Sequence, residues 1–154
     1  MGISATSIVP MKQSHVRACN AIAAASEPWK TLRESIDFAR YITLKQAFVC
    51  ILENAPAGFV IFTPEPVFAR GGYLRAIGVA ENQRRSGLGK QLLSFAENRT
   101  RRSSANMFLC VSSFNRPGQH FYKSMGYTKV GAVPGLISPA SSEHIYWKKL
   151  TSGG

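Results

Sequence analysis

Two short stretches carry the residue types and spacings that chemistry needs. The first is Arg84-Arg85-Ser86-Gly87-Leu88-Gly89-Lys90, shortly after the strand-like Ile77-Gly78-Val79 and opening a helix with Leu88, Leu92, Phe95 and Ala96 at i, i+4, i+7 and i+8. Glycines let a ligand approach the backbone, first-turn amides lack helical partners, and the helix dipole favours negative charge, so strand, glycine loop and helix together make an anion site. Two familiar phosphate loops are excluded: a dinucleotide fingerprint from Gly87 needs glycine where Leu92 stands. A Walker A ending at Gly89-Lys90 needs glycine at Arg84 and Ser or Thr at Gln91. Glycines before a helix also serve as plain turns, and this stretch alone leaves both readings open. The second stretch is Asn115 followed by Phe121-Tyr122-Lys123-Ser124-Met125-Gly126-Tyr127, with a tyrosine on a short helix.

Charge points the same way. The formal net charge is +11, and from Arg84 to Lys129 the cations Arg84, Arg85, Lys90, Arg99, Arg101, Arg102, Arg116, Lys123 and Lys129 face only Glu97. An anionic ligand fits that half of the chain. For Arg99, Arg101 and Arg102 a plainer role suffices, since cations in the last turn of a helix complement its dipole.

The elements that must position these residues follow from patterning. Ile3 to Val9 reads as a strand, Lys12 to Ala25 as a helix, and, after Pro28 and Trp29 break the pattern, Ile36 to Ile42 as a second helix. Ala47 to Leu52 and Phe59 to Thr63 flank the turn signal Asn54-Ala55-Pro56-Ala57-Gly58 as a hairpin. Strands follow at Tyr73 to Val79 and Met107 to Val111, then a helix at Asn115 to Met125 stopped by Gly126, then strands at Tyr127 to Val133 and His144 to Lys149. The order implies an α+β fold, and 154 residues without a linker imply one domain over 1–154. Cys19, Cys50 and Cys110 are odd in number and dispersed, which suits buried thiols in a reducing compartment. No run approaches a membrane span, so a cytoplasmic protein is expected, with Met1-Gly2-Ile3-Ser4-Ala5-Thr6 only a loose myristoylation match.

Arg84-x-x-Gly87-x-Gly89 resembles the acyl-CoA signature Q/R-x-x-G-x-G/A of the GNAT superfamily of N-acyltransferases, and Asn115…Phe121-Tyr122-x-x-x-Gly126-Tyr127 is similar to its N-x-x-A-x-x-F-Y-x-x-x-G-F/Y pattern. The match covers about residues 46 to 150 well, and the first 45 in outline. Gly118 departs from it, standing where the family usually has alanine. The resemblance implies a mixed, mostly antiparallel central sheet flanked by helices, and acetyl-CoA as co-substrate with no metal. It implies backbone donors for the pyrophosphate from Arg85 through Lys90, that is Arg85, Ser86, Gly87, Leu88, Gly89 and Lys90, beside Arg84. It also implies an amide around Ile77 to Val79 at the thioester carbonyl, Asn115 on the pantetheine arm, and Tyr122 protonating the departing thiolate.

Acyl transfer to an amine needs a neutral nucleophile, oxyanion stabilisation and a proton for sulfur. An aliphatic amine of pKa about 10.4 is charged at neutral pH, so a proton acceptor is required. Glu81, just past the central strand, is the nearest carboxylate in sequence and Glu53 the second, though either also serves as a surface acid among many cations. His120 lies two residues before Tyr122, about 200° around a helix, and is discarded. Cys110 reads as a buried strand thiol.

Trp29, Tyr73 and Arg75 are the candidates for contact with the acceptor, a small-molecule amine or a peptide or protein amine; as aromatics, Trp29 and Tyr73 equally suit core packing. A homodimer is left open by the sequence. Two rival classes remain: an acyl-CoA sensor without turnover, and a basic nucleic-acid-binding module suggested by a pI of about 10.1. The second lacks aromatic interleaving and any zinc, KH or RRM signature, so no nucleic acid is expected.

Overall fold

Seven strands form one sheet in the order β1-β2-β3-β4-β5-β7-β6, comprising β1 (Ser7–Pro10), β2 (Ala47–Leu52), β3 (Ala55–Phe68), β4 (Gly71–Val79), β5 (Asn106–Ser112), β6 (Thr128–Pro134) and β7 (Ser142–Lys149). The helices are α1 (Val16–Ala24), α2 (Trp29–Leu32), α3 (Phe38–Thr43), α4 (Leu88–Thr100) and α5 (Arg116–Ser124). This computed structural model describes residues 6–151. Most of the myristoylation-like motif, the start of the expected first strand and the Ser152-Gly153-Gly154 end lie outside the described residues. β1 pairs with β2, β2 with β3, β5 with β7 and β6 with β7, all antiparallel, while β4 and β5 run parallel. The α+β architecture expected from the sequence is therefore the one observed.

Several boundaries move. The first hairpin turns at Glu53 and Asn54, whose φ of 51° and 65° suit the two-residue turns that match strand twist, so the chain is already in β3 by Ala55. β3 then continues to Phe68, well past Thr63, although Pro64, Glu65 and Pro66 erase the apolar alternation there. A second two-residue turn, Ala69 and Arg70 with φ of 43° and 68°, leads into β4. Trp29, expected to interrupt helix, starts the single turn of α2.

The chain divides into two compact units, residues 1–62 with 76–96, and 63–75 with 97–154. In the first, Cys19, Ile22 and Ala23 of α1 meet Val49, Phe59 and Ile61, and Phe38 sets its ring edge-on to Phe59 at 5.0 Å. Trp29 packs 6.0 Å from Phe59. Phe48, Phe62 and Phe95 form a separate aromatic group, with Phe48 and Phe95 4.9 Å apart. Leu92 and Leu93 of α4 are fully buried, each worth about 1.5–3 kcal/mol of burial.

In the second unit the buried Glu97 carboxylate accepts from the Tyr127 hydroxyl at 2.8 Å and from Lys148 Nζ at 3.1 Å on both oxygens. The one acid of the basic stretch is thus withdrawn into a charge-assisted network. Burial, reinforced by Glu97, pushes the Tyr127 phenol far above its ordinary range.

Candidate functional site

The glycine loop is built as an anion cradle. A 3-10 turn at Glu81–Gln83 follows β4, Arg84 is extended, Arg85 is left-handed at φ 64° and Gly87 at φ 90°. Such alternation of hand turns successive amides to one side, the geometry of a backbone nest. Two side chains fix the loop. Arg84 Nη2 donates to the Ala25 carbonyl at 2.8 Å and to Ser26 Oγ at 3.2 Å, and Ser86 Oγ donates to the Gln83 carbonyl. The Arg84 guanidinium is thereby engaged with the end of α1, leaving the backbone for a ligand. Leu88 is buried and anchors the start of α4, while Arg85, Ser86 and Gly87 are exposed. Nothing lies within 4 Å of the place a Cβ on Gly87 would occupy. Leu88, Gly89 and Lys90 open the first turn of α4, where amides have no helical partner. An exposed, open nest of unpartnered amides fits a pyrophosphate.

Upstream, Gly78 between Ile77 and Val79 lies against Phe59: a Cβ there would come within 2.4 Å of that ring. Ile77 and Val79 are half-buried. The described pairing of β4 with β5 covers Gly72↔Met107 to Leu74↔Leu109 and ends there.

The second motif lies on α5. Asn115 caps the helix, its side chain accepting the Gly118 amide at 3.0 Å, and Gly126 ends the segment at φ 93°, as its position predicted. Tyr122 is half-buried, its ring edge-on to Phe121 at 5.1 Å and to Tyr127 at 5.8 Å. Burial pushes its phenol further above the ordinary value, which already keeps it protonated in the neutral range.

His120 is exposed and points elsewhere, as its spacing from Tyr122 implied. It lines a cavity of about 200 Å³ with Arg116, Gln119 and Lys123. Sequence reasoning passed over this basic cavity, although Arg116, His120 and Lys123 recur at i, i+4 and i+7.

Glu81 is exposed on its 3-10 turn, and Glu53 is exposed at the hairpin tip. Tyr73 is half-buried on β4, beside Cys110, with the Arg75 guanidinium carbon 5.4 Å from its ring centre. Burial raises the Tyr73 phenol and the Cys110 thiol; Cys110 and then Glu143 raise the phenol further, while Tyr73 partly lowers the thiol and Glu143 raises it. Glu143, a buried acid with one oxygen unpartnered, escaped the sequence reading. Among the described residues no cluster of His, Cys, Asp and Glu is arranged to hold a metal, and no helix is long and apolar enough to cross a membrane.

Compared with known proteins, residues 15–127 match the model of the Acetyltransferase (GNAT) family. No curated protein matches by sequence. The fold is that of Ard1 from Thermoplasma volcanium, with TM-score 0.81 and 19% identity over 97% of this chain and 99% of that one. It is also that of the ribosomal-protein-S18-alanine N-acetyltransferase from Escherichia coli, with TM-score 0.73 and 18% identity over 97% of each chain. Naa50 of Arabidopsis thaliana, in complex with the bisubstrate analogue CoA-Ac-MVNAL, superposes with TM-score 0.76 and 15% identity over 96% of this chain and all of that one.

Proposed function

Because this chain belongs to the acetyltransferase (GNAT) family and is an acetyl-CoA-dependent N-acetyltransferase, we propose that the Arg84-to-Lys90 loop holds the cofactor's pyrophosphate and that Tyr122 protonates the departing thiolate. The observation that carries this reading is the exposed left-handed nest at Arg85 to Gly87, together with the half-buried Tyr122 on α5 in the second family motif. Bound acetyl-CoA supplies an activated thioester. The amides of Arg85 through Lys90 offer donors to the pyrophosphate, and the dipole of α4 adds favourable potential. An amide in the Ile77 to Val79 segment steadies the carbonyl oxygen as it gains charge. Asn115 Oδ1 accepts one bond as the α5 cap, which leaves its amide NH2 and a second oxygen lone pair for the pantetheine arm.

The acceptor is a primary amine of a small molecule or of a peptide. Amine acetylation by E. coli and Arabidopsis proteins of the same fold makes peptide N-termini natural members of a test panel. Tyr73 and Arg75 are candidate contacts, and Trp29 a weaker one, since it already packs on Phe59. Glu81 is the exposed candidate for accepting the amine's proton, directly or through water. The whole chain acts as one catalytic domain in the cytoplasm. Acetyl-CoA consumption against polyamines, amino acids, aminoglycosides and peptide N-termini tests the reading. Turnover on at least one class is expected, and binding of acetyl-CoA without turnover on any would leave a sensor.

A further inference from the structure

Glu143 is 6% exposed, and its Oε2 is fully buried without a hydrogen-bond partner. Its register neighbour on β5 is Ser112, 1% exposed, whose Oγ is likewise buried and unpartnered. Strand pairing places these groups on one face. Tyr73 is paired with Phe108, and Cys110 and Ser112 follow Phe108 at steps of two, so all point to the side that Glu143 shares with Ser112. Arg75 follows Tyr73 by the same step. Glu97, the other buried acid among the described residues, is fully engaged by Lys148 and Tyr127, and Lys148 faces away from Glu143 by strand alternation. A carboxylate taken out of water with a free oxygen is costly to keep. What such a group lacks is a cationic N–H donor.

We propose that Glu143, flanked by Ser112, Cys110 and Tyr73 on one face of β4, β5 and β7, receives the ammonium group of the acceptor and takes its first proton. The proposal rests on the acetyltransferase reading above and gives it a substrate class: an aliphatic amine that arrives charged. The ammonium gives one proton to the Glu143 carboxylate, and the nitrogen lone pair then forms the C–N bond at the thioester carbonyl. The C–S bond breaks as Tyr122 passes its proton to sulfur. The second proton of the nitrogen returns to the Tyr122 phenolate through solvent, and Glu143 releases its own to solvent. The groups facing Glu143 are Ser112 and Cys110 from β5, Tyr73 and Arg75 from β4, and Val133 from β6, with His144 beside it on β7.

The test is steady-state kinetics of Glu143→Gln and Glu81→Gln on whichever aliphatic amine the panel identifies, with acetyl-CoA-induced melting shifts as the control for fold and cofactor binding. Glu143→Gln is expected to keep the melting shift and KM for acetyl-CoA while kcat falls about 10²- to 10⁴-fold. The loss should shrink as pH rises towards the amine's own pKa, and for an amine analogue already neutral at pH 7. A rate within about twofold of wild type, short of any general-base effect, or a larger loss in Glu81→Gln, overturns the proposal. If Glu143→Gln does not melt like wild type, the wild-type profile decides. A plateau of kcat/KM well below the amine pKa of about 10.4 supports an internal acceptor, and a tenfold rise per pH unit up to that pKa overturns it. Absence of turnover on every amine by wild type defeats the parent reading, whereas turnover insensitive to Glu143 defeats this one alone.

Discussion

Asn115 and Gly118 occupy each other's space: the asparagine accepts the Gly118 amide at 3.0 Å, and a Cβ on residue 118 would sit 2.5 Å from Asn115 Nδ2 and 2.8 Å from its Cγ. The cap as built here uses the space that the alanine of the family pattern would fill. Alanine at 118 would gain up to about 1 kcal/mol of helix propensity and displace a cap worth about 1 kcal/mol. Gly118→Ala alone should leave the melting temperature nearly unchanged. In an Asn115→Ala background the same change should raise it by about 2–4 °C, as expected for 1 kcal/mol in a domain of this size. A double-mutant cycle by thermal denaturation measures the coupling.

Acetyl-CoA should raise the melting temperature of the wild-type protein, because a ligand that binds only the native state stabilises it by mass action. Gly87→Val and Gly89→Val should each lose that shift. Retention of the full shift in both variants would move the pyrophosphate away from the loop.

CoA should bind more tightly than dephospho-CoA, the difference coming from the exposed cations of the loop itself, Arg85 and Lys90. Calorimetry at two salt concentrations checks this. The preference should shrink as the screening length falls from about 10 Å at 0.1 M to about 3 Å at 1 M. Equal affinities at low salt would assign the basic excess to another ligand.

Tyr122→Phe keeps the edge-on ring contacts with Phe121 and Tyr127 and removes only the hydroxyl. Melting and acetyl-CoA affinity should survive, while kcat falls about 10²- to 10⁴-fold with KM for acetyl-CoA little changed. Activity within about twofold of wild type would take the residue out of the proton path.

Alkaline stability should report the buried groups. Burial moves the Cys19 thiol from 9.0 up to about 12 and also raises the phenols of Tyr122 and Tyr127. These groups lose their protons first in the unfolded chain. Their contribution is therefore intact below the unfolded pKa, about 9 for the thiol and about 10 for the phenols, and is lost as pH rises above it, for Cys19 until about pH 12. Cys19 alone removes at most about 1.4 kcal/mol per pH unit in that window. Melting curves from pH 8 to 11 should slope downward, and less steeply for Cys19→Ala.

What could be read from sequence were the features written in local chemistry. The α4 stripe, the loop ahead of it, the Gly126 stop and the Tyr122 helix all depend on neighbours within a few residues. β3 was shortened because prolines and an acid occupy its outer half, where a strand held by its neighbours tolerates them. Glu143 was missed because a lone acid between Ser142 and His144 looks like surface. Only the strand pairing, which seats it opposite the buried Ser112, shows that it is covered. The Arg84 guanidinium, assigned to the anion site from sequence, instead fastens the loop to α1, a contact 59 residues away along the chain that no local pattern encodes.

Gly87 has open space where a side chain would begin, yet holds a backbone hand that ordinary side chains resist. The constraint there is chirality and not volume. An L-alanine at this one position would begin in open space and meet only the resistance of the backbone, so a loss of binding it caused would report on the hand of the loop and not on crowding.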